Sequence, residues 1–91
     1  MEITMRFFAS FRDEAGQKVI NREYDDVSTV GDLARTLSEE YPGMELFDDD
    51  GSLREFISIM RNGEDVTHLD GLETTLEDGD TVSMFPPVAG G

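Results

Sequence analysis

The 91-residue sequence has no cysteine and no tryptophan, and it carries one lysine, Lys18, and one histidine, His68. Without thiols there is no disulfide framework, no thiolate nucleophile and no Cys-ligated metal. A lone histidine with no second ligand in register reads as a surface residue at a strand end. The serines Ser10, Ser28 and Ser58 have no histidine in register to activate them as nucleophiles. No apolar run approaches the roughly 20 residues of a membrane span, and no basic-then-apolar leader opens the chain. The expectation is a cytoplasmic protein with no membrane partner. Nucleotide motifs are also missing: there is no G-x-x-x-x-G-K-[ST] and no strand–G-x-G-x-x-G–helix. The segment "FDDDGSL" has calcium-loop composition, but an EF-hand loop with its glycine at Gly51 needs an acid at Leu46 and a glutamate at Ile57. Asp48, Asp49 and Asp50 therefore read as a solvated loop, and neither a metal nor a cofactor is expected.

Acidic charge is what the chain has in excess. Twenty-one Asp and Glu face seven Lys and Arg, a formal net charge of −14. Direct nucleic-acid binding is not expected, since phosphate contacts need clustered Lys and Arg. The acids are scattered (Asp13, Glu23, Asp32, Glu45, Glu55, Asp65, Glu77) rather than gathered into one patch. That pattern suits a cytosol of molar salt, where a Debye length of about 3 Å screens self-repulsion. The length gives one domain, expected to be monomeric when free.

Hydrophobic alternation predicts a first strand over Glu2–Ala9, with Ile3, Met5 and Phe7 inward, and a second over Lys18–Tyr24 after the turn-prone "DEAGQ". "STVGDLARTLSEEY" is a helix with Thr29 as N-cap, Asp32 at N3, and Val30, Leu33, Ala34, Leu37 and Tyr41 on one face. Pro42-Gly43 ends it. Leu46 and Phe47 are expected to plug the core from the polar segment that follows. Glu55–Arg61 and Glu64–Leu69 form strands about an Asn62-Gly63 turn. A short helical turn in "GLETTLEDGD" leads to a last strand, Asp80–Phe85, which Pro86-Pro87 closes. The fold class is α+β of the β-grasp (ubiquitin-like) kind: a mixed sheet, one main helix packed on one face, and a C-terminal tail. The division is 1–85 for the domain and 86–91 for the tail.

The outward parity carries a second pattern. It reads Thr4, Arg6, Phe8 on the first strand, Phe56, Ser58, Met60 on the third, and Thr81, Ser83, Phe85 on the last. With the first and last strands adjacent, Phe8, Met60 and Phe85 make an exposed apolar patch at the root of the tail. Such patches mark protein interfaces. The tail beyond Phe85 reaches at most about 20 Å, and its two final glycines, lacking a Cβ, fit a narrow channel.

"RFFASFRDEAG", "STVGDL" and "DGDTVSMFPPVAGG" resemble the small subunit of molybdopterin synthase and its relatives, the ubiquitin-like sulfur carriers. The resemblance spans nearly the whole chain and is most specific in the F-P-P-V-x-G-G ending, Phe85–Gly91, with Ala89 in the variable place. The acid load and scarcity of lysine further resemble the small archaeal modifier proteins of halophilic archaea. The resemblance implies that an E1-like adenylating enzyme activates the carboxylate of Gly91, and that Val88, Ala89 and Gly90 form the arm that delivers it. It also implies that Phe8, Met60 and Phe85 face partners.

Three functions stay open at this level. One is a protein modifier joined through Gly91 to target lysines, with Lys18 as the one side-chain site for self-conjugation. The second is a sulfur carrier with a Gly91 thiocarboxylate, serving molybdopterin synthesis with the large subunit of molybdopterin synthase, or tRNA thiolation. The third is a plain binding module. In the first two the chain is not an enzyme but a substrate, because nothing in it binds ATP. The likeness to the halophile modifiers favours the first.

Overall fold

A computed structural model describes residues 1–87. β1 (Glu2–Phe7) and β2 (Val19–Glu23) form an antiparallel pair, with Met5 opposite Ile20. Between them lies a short helix, α1 (Ala9–Ala15). α2 (Val30–Glu40) crosses to the far side of the sheet. β3 (Ser58–Arg61), β4 (Glu64–Asp65) and β5 (Thr81–Phe85) complete five strands in the order β2-β1-β5-β3-β4. β5 runs parallel to β1 and antiparallel to β3, so the first and last strands lie together at the centre. This is the β-grasp arrangement expected from the sequence.

One sheet face is sealed. Ile3, Met5, Phe7, Ile59, Val82 and Met84 are all within 2% of full burial. They pack in one core with Val30, Leu33, Ala34 and Leu37 of α2, as the helical spacing predicted. α2 starts where it was expected. The Thr29 side chain accepts from the Asp32 N–H at 3.1 Å, and the Asp32 carboxylate accepts from the Thr29 N–H at 3.2 Å. This reciprocal capping box fixes the first turn. Leu46 plugs the core fully and Phe47 partly. Asn62 and Gly63 take φ of 51° and 84°, the paired positive values of a tight hairpin turn.

Three boundaries differ from expectation. The first strand stops at Phe7, not Ala9: Ala9 adopts φ 51° and turns the chain into α1, which buries Phe11 and ends on Gly16 at φ 78°. A segment read as a loop is therefore a helix pinned by one aromatic. The third strand starts at Ser58 rather than Glu55, because Phe56 sits at φ 68°, outside strand geometry. The fourth strand ends at Asp65 instead of Leu69. There the Asp65 carboxylate accepts from the Thr67 N–H at 2.9 Å and the Thr67 hydroxyl at 2.8 Å, drawing Val66–His68 into a 3-10 turn.

Candidate functional site

The open face of the sheet is set by register. Phe7 pairs with Met84 in the parallel β1–β5 ladder, so the next step brings Phe8 beside Phe85. Their rings stack at 4.3 Å between centroids and 13° between planes, an offset geometry that adds to plain area burial. Phe8 lies just past β1 and keeps an extended backbone, φ −126° and ψ 151°, so the outward parity survives the end of the strand. Phe85 is the last residue of β5, one step before Pro86. Met60 stands opposite Ser83 and Ser58 opposite Phe85, which makes Met60 the diagonal neighbour of Phe85 on that face.

By register the three residues lie on the face opposite α2. Each is half-buried rather than fully exposed. For Phe8 and Phe85 the cause is their stack. Among the described residues, the large hydrophobic side chain left most open is Phe56, 80% exposed, on the loop leading into β3. It lies two residues before Ser58, the partner of Phe85, and its φ of 68° takes it off the strand ladder. It shares the sequence parity of Ser58 and Met60, the one signal that pointed to it. Val88, Ala89, Gly90 and Gly91 lie outside the described residues.

Beside Phe8 the surface dips into a pocket of about 240 Å³ lined by Arg6, Phe7, Phe8, Arg12, Lys18 and Val19. The Arg6 guanidinium carbon lies 5.5 Å from the Phe8 ring centroid, within cation–π range. Lys18 is exposed, while its carbonyl accepts from the Phe7 N–H at 2.8 Å, which ties its backbone to β1. This grouping of three cations from β1, α1 and the entry to β2 was not visible in the sequence, where they are six residues apart each time.

The opposite end of β5 is held by charge. Asp80, 6% exposed, accepts from Arg61 Nε at 2.8 Å, Asn62 Nδ2 at 2.9 Å and the Glu77 N–H at 2.8 Å. Burial by itself pushes its carboxyl up. The hydrogen bonds and the Arg61 charge outweigh that and hold it below the usual carboxylate value. On the β2 edge Arg22 pairs with Glu40 of α2. These contacts are structural ties between elements. His68 is exposed at the end of its 3-10 turn, and Asp48, Asp49 and Asp50 are exposed on their loop. Among the described residues no group of three or more His, Cys, Asp or Glu could hold a metal ion, and no helix is long and apolar enough to cross a membrane.

Comparison with known proteins agrees with this geometry. The chain is 50% identical over 92 residues to small archaeal modifier protein 3 of Haloferax volcanii, with both chains covered in full. It is 39% identical over 80 residues to the sulfur carrier protein CysO of Mycobacterium tuberculosis, covering 84% of this chain and 83% of that one. The crystal structure of SAMP1 from Haloferax volcanii superposes with a TM-score of 0.84 at 32% identity, again over the whole of both chains. These relatives are small modifiers and sulfur carriers rather than catalysts, and the first and third come from the salt-adapted background that the acid load suggested. The ThiS family model matches residues 5–91, and with the β-grasp sheet and the resemblance already seen in the sequence, the chain belongs to the ThiS family of ubiquitin-like proteins.

Proposed function

We propose that this chain is a ubiquitin-like protein modifier whose Gly91 carboxylate is adenylated by an E1-like enzyme and joined to target lysines. A carboxylate is a poor electrophile. ATP converts it to an acyl-adenylate with release of pyrophosphate. A lysine amine then attacks the acyl carbon, loses a proton and expels AMP, leaving an isopeptide bond. The chain lacks nucleotide motifs, so the activating enzyme supplies the ATP site. The observation that carries the reading is the Phe8–Phe85 stack on the face opposite α2, at the strand end from which residues 86–91 leave. An aromatic pair there, with Met60 diagonal to it, docks the domain 1–85 on the enzyme while Val88, Ala89 and Gly90 deliver Gly91. Exposed Lys18 is the acceptor for any side-chain-linked chain of copies. The reading places the protein in the cytoplasm.

The second reading is a sulfur carrier, and the likeness to CysO favours it. Sulfide in place of the amine displaces AMP and leaves a thiocarboxylate on Gly91. The large subunit of molybdopterin synthase is one partner of matching chemistry. Both products can form from one adenylate. Mass spectrometry of proteins from the native cell separates them. It needs a protease that cuts within the tail, since no Lys or Arg follows Arg61. The modifier reading expects Gly-Gly remnants on the lysines of other proteins. A terminal exchange of oxygen for sulfur with no lysine remnants would replace it with the carrier; neither product would leave only a binding module.

A further inference from the structure

The chain has seven Lys and Arg. Arg22, Arg35, Arg54 and Arg61 are within ion-pair distance of carboxylates. The other three, Arg6, Arg12 and Lys18, make no ion pair among the described residues, and all three line the 240 Å³ pocket beside Phe8. In a protein with three acids for every base, unpaired cations converging on one depression are not the expected result of scatter.

We infer that this pocket is a recognition site for an acidic peptide segment of a partner protein, one carrying carboxylates next to an apolar side chain. Three features fit that occupant. The guanidiniums of Arg6 and Arg12 offer bidentate donors matched to carboxylates. Arg6 already lies near the Phe8 ring, so a bound carboxylate meets a positioned cation with an aromatic beside it. The pocket is also continuous with the Phe8–Phe85 stack, so an apolar neighbour of the carboxylate reaches the rings. Charge also gives specificity here. The rest of the surface repels an acidic segment, so the pocket fixes one orientation of docking on a chain of net charge −14. In molar salt, long-range steering is lost, and only direct contacts in a partly enclosed site survive. The inference rests on the same face as the proposed function, but its test does not depend on the tail.

The probe is a capped hexapeptide of alternating Glu and Phe, compared with its Gln-and-Phe counterpart. Binding is followed by backbone amide shifts of the full chain, in about 0.5 M KCl, where the Debye length is still several Å. The Glu peptide is expected to shift the amides around Arg6, Phe8, Arg12 and Lys18 and to bind about tenfold more tightly than the Gln peptide, a difference of about 1.4 kcal/mol. The combined variant Arg6→Gln, Arg12→Gln, Lys18→Gln is expected to erase that preference while the remaining amide spectrum stays native. All three side chains are exposed, so the fold should tolerate the changes. Equal binding of the two peptides, a preference that persists in the triple variant, or shifts explained by self-association at that surface would overturn the inference. Loss of the proposed function with the peptide preference intact would leave this inference standing, and the converse holds as well.

Discussion

Phe7 and Phe8 are neighbours in sequence and belong to different economies of the molecule. Phe7 faces α2, is 2% exposed and meets Tyr41 edge-on at 6.5 Å. Phe8 faces away, half-buried, and stacks on Phe85. The same side chain thus serves stability on one face of the sheet and, in the function proposed above, a surface for partners on the other. A single step in a strand moves a residue from one role to the other. Stability and partner binding should therefore be separable by substitutions one residue apart.

The largest expected effect on stability is on the sealed face. Phe7→Ala removes a buried aromatic from a closed core and should cost about 3–5 kcal/mol, read by chemical denaturation. Phe8→Ala should instead change stability by less than about 1 kcal/mol while weakening binding to the activating enzyme at least about tenfold. If Phe8→Ala unfolds the protein, the two faces are not separate and the aromatic pair is core.

Asp80 gives the next effect. Asp80→Asn keeps the shape but removes the buried anion facing Arg61 Nε and leaves Arg61 only the exposed Glu77 carboxylate, at a cost of about 1–3 kcal/mol at neutral pH. The folded-state pKa of Asp80 is lowered. Its ionisation therefore contributes stability above the ordinary carboxylate value of about 4, and that contribution is lost as pH falls through the folded pKa. Acid denaturation curves should show a shallower acid limb for Asp80→Asn than for the parent chain. Identical limbs would remove Asp80 as a source of the acid sensitivity. The smallest effect is at the helix start. Thr29→Ala loses the acceptor for the Asp32 N–H and should cost about 1 kcal/mol with partner binding unchanged. A matching loss of binding would mean that α2 takes part in docking.

The sealed face was legible in the sequence because it obeys two simple periods. Ile3, Met5 and Phe7 alternate, and Val30, Leu33, Ala34 and Leu37 recur at helical spacing. The outward parity of Phe8, Met60 and Phe85 followed from the same alternation. What sequence did not reveal was set by local events with no periodic signature. α1 holds one buried residue, Phe11, too few to establish a period. Asp65 captures the Thr67 N–H and cuts a strand short, although Val66 and Leu69 suit one. Phe56 lies exposed in a left-handed conformation, and its parity alone could not tell strand from loop. The cationic pocket was hidden for another reason: Arg6, Arg12 and Lys18 converge only after α1 folds back against β1.

The central claim is that the domain presents a working carboxylate at Gly91, and ATP–pyrophosphate exchange with the cognate activating enzyme tests it most directly. Deleting Gly90 and Gly91 leaves every residue of the core among the described residues in place and shortens the reach by about 7 Å. The melting temperature should be unchanged and exchange reduced to background. Exchange at the full-length rate by the truncated chain would contradict the claim and leave the Phe8–Phe85 face as the working part of a binding module.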